Sequence, residues 1–162
     1  MIDYNKPILF LDLDGVIVLD DLPFKKKIHS EYIANNFDKK CVNVLNEIIK
    51  NVNPIIILSS DWRYNYSFDI LNKIFHDNGV ISEISGITDN LWGIEFKSLS
   101  QLEVCRATEI LKYVNEHDIN NYVAVDDLNL FPWIPKNFVY CTRFNEGIKQ
   151  TGIKEKIIDI LT

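Results

Sequence analysis

The apolar positions of this chain fall into two kinds of run. Short apolar runs predict buried strands over 8–12, Ile55–Leu58 and 122–125, the first closing on Asp12. Elsewhere apolar residues recur at helical spacing. Val42, Leu45, Ile48, Ile49 and Val52 put one apolar stripe on a helix over 41–52, which Asn53-Pro54 ends. A second helix is predicted from about Tyr66 to Asp77, with Asn78-Gly79 as its stop, and a third strand over 80–84. Ser100-Gln101-Leu102-Glu103 matches a capping box that opens a helix running to about His117. A strand over 137–141 and an amphipathic helix over Ile153–Leu161 complete the pattern. Residues 16–40 are the least regular stretch and read as a loop or flap above the first strand. Strands alternating with helices imply an α/β fold: a mainly parallel, Rossmann-like sheet with helices on both faces, three layers in all.

Composition narrows the class without changing the fold. At 162 residues, 47 % hydrophobic and 25 % charged, the chain suits one soluble domain over 1–162 that buries its core without disulfides. A net charge of −6 argues against stable, general nucleic-acid binding, which needs a surplus of Lys and Arg. The only dense basic cluster, Lys25-Lys26-Lys27, reads as a solvated face. Cys41, Cys105 and Cys141 form no Cys-x-x-Cys pair, so neither a zinc site nor a disulfide framework is expected. His29, His76 and His117 share no ligand spacing and read as surface residues, and Trp62, Trp92 and Trp133 as core or rim. With no leader-like start and no apolar run near the ~18 residues of a membrane span, a cytoplasmic location off the membrane is expected.

Three of the apolar strands end in polar groups at equivalent positions. The first ends in Asp12 and Asp14, the second in Ser59 and Ser60, the later one in Asp126 and Asp127. A parallel sheet lines up its C-terminal ends along one edge, where open α/β sheets bind ligands. Two carboxylates two residues apart repel unless a positive charge sits between them, and Mg²⁺ takes carboxylate oxygens together with phosphate and water.

On these residues the chain resembles the haloacid dehalogenase (HAD) superfamily of aspartate-nucleophile phosphohydrolases. Asp12-Leu13-Asp14-Gly15-Val16 matches the first superfamily motif, Ile55-Ile56-Ile57-Leu58-Ser59 the second, and Val125-Asp126-Asp127 the fourth. The third motif is a basic residue on a helix. Arg106 is the best-placed candidate, with Lys97 and Lys112 as rivals. Ser59-Ser60-Asp61-Trp62-Arg63, with Arg106 to Leu111, looks closer to a small, nearly capless branch that includes the HAD domains of RNA-repair polyproteins.

The resemblance implies a Mg²⁺-dependent phosphatase acting through an aspartyl-phosphate. Asp12 is the expected nucleophile, Asp14 the general acid and base, Ser59 a phosphate ligand and Arg106 the compensating cation. Asp12, Asp14, Asp126 and Asp127 are the candidate metal residues, and the sequence leaves open which of Asp126 and Asp127 touches the ion. Ser60 and Arg63 are candidate substrate contacts. Ser60 and Asp61 read rather as caps of the following helix, a role also open to Ser59, and Arg63 equally as a cation–π partner of Trp62 or Tyr66. Short intervals between motifs imply an open site, suited to phosphate on a nucleotide or nucleic-acid end or on a small molecule. Two other classes share some features: a phospho-accepting receiver domain, and a catalytically silent HAD-fold binding protein. Sustained Mg²⁺-dependent turnover abolished by Asp12→Asn distinguishes a phosphatase from both.

Overall fold

The structure, a computed structural model, describes residues 2–19, 36–92, 98–143 and 145–162. Lys25–Lys27, His29, Lys97 and most of the expected flap lie outside the described residues. Among the described residues five parallel strands form one sheet, β1 (Ile8–Leu11), β2 (Ile55–Leu58), β3 (Ile84–Ile87), β4 (Tyr122–Asp126) and β5 (Phe138–Tyr140), in the order β3-β2-β1-β4-β5. β1 is central, pairing Leu11 with Leu58 on one side and Val125 on the other. Its four residues are fully buried because helices cover both faces, and this explains the unbroken apolar run.

The strand period of two sorts these residues into two cores. Leu9, Leu11, Ile56, Leu58, Val123 and Val125 join a core with α1 (Lys39–Val52), α2 (Phe68–Asp77) and α4 (Ile153–Leu161). Ile8, Phe10, Ile57 and Ala124 face the other way, against Ala107, Ile110 and Val114 of α3 (Leu99–Glu116). The three-layer α/β/α arrangement follows from that alternation.

Local signals set the helix ends. Asp38 caps α1 by accepting the Cys41 amide at 2.9 Å, and Asn53 ends it in a left-handed conformation, φ 51°. α2 begins at Phe68, later than apolar spacing suggests, because Ser67 is its cap and a 3₁₀ turn, Asp61–Tyr64, occupies the preceding stretch. Its end corrects the third strand expected over 80–84. Gly79, φ 84°, donates to the His76 carbonyl and Val80 to the Phe75 carbonyl, the two bonds of a Schellman stop. Val80 is therefore the buried apolar residue that closes the helix, and β3 starts four residues later. The capping box is also two residues earlier than expected: Ser98 and Gln101 make it reciprocally, while Glu103 accepts the Asn129 amide.

Several smaller expectations are settled by the packing. Cys41, Cys105 and Cys141 form no disulfide. Trp62 is buried, Trp92 is exposed, and His117 stacks on Tyr4 at 4.4 Å between ring centroids. No helix among the described residues is long and apolar enough to cross a membrane.

Candidate active site

The sheet delivers its polar residues to one edge through backbone pairing that continues just past the strands. The Asp12 amide donates to the Val125 carbonyl, Ser59 to Leu11, Thr88 to Leu58 and Cys141 to Asp126. Asp12, Ser59, Thr88 and Asp126 thus stand in one row, all buried. Immediately beyond, the chain folds back on itself. The Leu13 carbonyl accepts from Val16, Ile17 and Val18, and Gly15 donates to Val18 at 2.8 Å. Gly15 has φ +73°, and its missing side chain leaves room for the Asp127 carboxylate.

Carboxylate oxygens of Asp12, Asp126 and Asp127 lie within 4.8 Å of one another, the one such group of His, Cys, Asp or Glu among the described residues. Arg106 reaches it from α3. Its guanidinium bonds Asp126 Oδ2 at 2.8 Å, the Ser59 carbonyl at 2.6 Å and Asp61 Oδ1 at 3.1 Å, and pairs with Asp12 Oδ1 at 3.2 Å. Burial opposes the charge on Arg106, but Asp126, Asp12 and Asp61 outweigh it and hold the guanidinium above its ordinary pKa. One guanidinium does not balance three clustered acids. Burial raises the pKa of Asp12 and of Asp126 despite Arg106, and burial plus the charge of Asp12 pushes Asp127 up to about 7. An all-oxygen donor set with surplus negative charge fits a hard divalent cation. The Ser59 and Ser60 hydroxyls are buried here without a hydrogen-bond partner. Ser60 is near enough to Asp12 to favour its ionised form, although the pair lacks the geometry of a formed bond.

Compared with known families, residues 8–153 match the model of the HAD domain in Swiss Army Knife RNA repair proteins. The chain belongs to this HAD family. Membership supports a phosphohydrolase of HAD type. No solved structure gave a significant match.

The other expected site residues of this HAD domain are placed as follows. Asp14, exposed at the turn, keeps its carboxylate outside the three-acid group and accepts from Trp62 Nε1 at 3.1 Å. Lys112, the described rival of Arg106, pairs instead with Asp89 and with Glu116. Arg63 turns away from the acids: it donates to Thr88 Oγ1 at 2.6 Å and to Glu109 Oε2 at 2.6 Å, with its side chain 7 % exposed. Its ring neighbour is Tyr64, at 5.2 Å, rather than Trp62 or Tyr66. Ser60 and Asp61 do not cap α2. Ser60 precedes the 3₁₀ turn without a side-chain cap bond, and Asp61 serves Arg106.

Thr88 and Glu109 escaped sequence reasoning, which gives Asp61 and Trp62 other roles. Glu109 is buried and bridges Arg63 to the Leu91 amide, Thr88 anchors Arg63, Asp61 holds Arg106, and Trp62 holds Asp14. For Glu109 a signal was present: it follows Arg106 by three positions, the helical spacing that puts both on one face.

Proposed function

We propose that this HAD domain is a Mg²⁺-dependent phosphomonoesterase that works through a phosphorylated Asp12, with a nucleotide or nucleic-acid end as substrate. The supporting observation is the meeting of Asp12, Asp126, Asp127 and Arg106 beside the unpartnered Ser59 hydroxyl, on side chains drawn from three strand ends and a helix. In the first step an Asp12 carboxylate oxygen bonds to phosphorus, the ester P–O bond breaks, and Asp14 gives its proton to the departing oxygen. In the second, water attacks phosphorus, Asp14 takes up the proton released, and inorganic phosphate leaves with Asp12 restored. Arg106 orients Asp12 through their ion pair, and the Ser59 hydroxyl donates to a phosphoryl oxygen. Asp12, Asp126 and Asp127 would hold Mg²⁺, which when bound supplies charge that screens these acids from the phosphate dianion.

The test is a screen of p-nitrophenyl phosphate, nucleoside monophosphates, 3′- and 5′-phosphorylated oligonucleotides and sugar phosphates, with Mg²⁺ and with EDTA. Mg²⁺-dependent turnover that is lost in Asp12→Asn and greatest on nucleotides or oligonucleotide ends is expected. Turnover confined to sugar phosphates would overturn the substrate, and none on any ester would overturn the phosphatase.

A further inference from the structure

Three consecutive side chains of the 3₁₀ turn Asp61–Tyr64 leave in three directions, as three residues per turn require. Asp61 goes to Arg106, Trp62 to Asp14, and Arg63 to the buried Thr88 and Glu109. The last of these anchors the turn: the Arg63–Glu109 pair is almost wholly out of water, at 7 % and 3 % exposure. Trp62 is itself clamped, with Phe37 and Tyr66 rings at 5.9 and 5.5 Å. Asp14 is an exposed side chain on a turn, and its Oδ2 accepts from this clamped indole.

From this geometry we infer that Trp62 is a positioning residue for Asp14, holding its carboxyl in the orientation from which the proton is delivered to the leaving group. The inference rests on the acid–base role proposed for Asp14. An indole N–H only donates, so the Asp14 oxygen it contacts, Oδ2, serves as acceptor and the carboxyl is held in one orientation. A carboxyl held in one orientation delivers its proton without first rotating into place. Proton delivery matters most when the departing oxygen is basic, and least when it is a stable anion such as p-nitrophenolate.

The experiment measures kcat/KM of the full chain on aryl phosphates of graded leaving-group acidity, for wild type and Trp62→Phe. A second variant carries benzothienylalanine at position 62, which keeps the ring shape and removes the donor. Both should lose about 10-fold on phenyl phosphate, part of the roughly 10²–10⁴ that positioned acid–base groups contribute, and under about 3-fold on p-nitrophenyl phosphate. Phe37→Leu, which loosens the clamp on Trp62 but keeps its N–H, should give a smaller loss of the same kind, greater on phenyl phosphate than on p-nitrophenyl phosphate. Equal losses on both esters in the Trp62 variants, or none, overturn the inference while leaving the phosphatase intact. No turnover by wild type overturns both together. Independently of activity, the Trp62 indole N–H resonance should move upfield in Asp14→Ala; an unmoved resonance overturns the contact on which the inference stands.

Discussion

Gly15 and Asp127 are packed so closely that a Cβ at position 15 would fall 2.2 Å from Asp127 Oδ2. Gly15→Ala therefore meets two penalties, a left-handed φ of +73° and displacement of an acid from the three-carboxylate group. The conformational part costs about 1–2 kcal/mol. Urea unfolding should show at least that loss, and Mg²⁺ should protect the variant less than wild type. An alanine protein with wild-type stability and wild-type Mg²⁺ protection would count against the contact.

If Asp12, Asp126 and Asp127 hold the ion, Mg²⁺ stabilises the folded chain by mass action, by about 2.7 kcal/mol at 100 times Kd. For a chain of this size that corresponds to a rise in Tm of roughly 5–10 °C. Scanning calorimetry with and without MgCl₂ measures it. Asp126→Asn should remove most of the rise, whereas Asp77→Asn, at an exposed helix end paired with Lys73, should keep it.

Arg106 is the only cation placed on Asp12 and Asp126 among the described residues, and all three side chains are at most 7 % exposed. Arg106→Ala leaves buried acids without compensation and should cost about 3–5 kcal/mol. Adding Asp126→Asn should restore part of that loss, so the double-mutant cycle gives a coupling well above zero; additive losses would place the destabilisation elsewhere. Arg106→Lys keeps the charge but not the fork that spans Asp126 and Asp61, and its stability should fall between the two.

Asp38 carries a pH dependence of its own. Burial pushes its carboxyl up, but the Cys41 amide and Lys149, at 3.0 Å, more than offset this and hold it below the ordinary value of 3.8. A depressed native pKa contributes stability that is present above the unfolded value and lost as pH falls through the native one. Asp38→Ala should accordingly cost about 1 kcal/mol at neutral pH, the usual cost of losing a helix cap. The gap between wild type and variant should stay constant above about pH 5 and close on acidification below the ordinary carboxylate pKa. Urea titrations across pH 3–7 follow that closure.

Reading the chain residue by residue succeeded where one local property decides the outcome. The run Ile55–Leu58 has the bounds of β2, because a central parallel strand is apolar on both faces and polar residues stop it. Ile153–Leu161 likewise has the bounds of α4, since its apolar spacing ends where burial ends. Reading failed where two local signals competed. Val80 and Ile81 look like a strand start, yet Gly79 bends Val80 back onto Phe75. Ser98 and Ser100 both suit a cap, and only the reciprocal bonding with Gln101 selects Ser98.

What the sequence by itself determined was the alternation of strands and helices and the acids, serines and candidate cation that close the strands. Hydropathy pattern and residue type are local, and the order of the motifs they mark carries the resemblance to the family. Tertiary structure alone decided that Arg106 rather than Lys112 meets the acids, that Arg63 is spent on Glu109 and Thr88, and that Trp62 holds Asp14. Each of those choices turns on which of several reachable partners a long side chain finds across the sheet edge. Spacing along the chain carries no record of that direction.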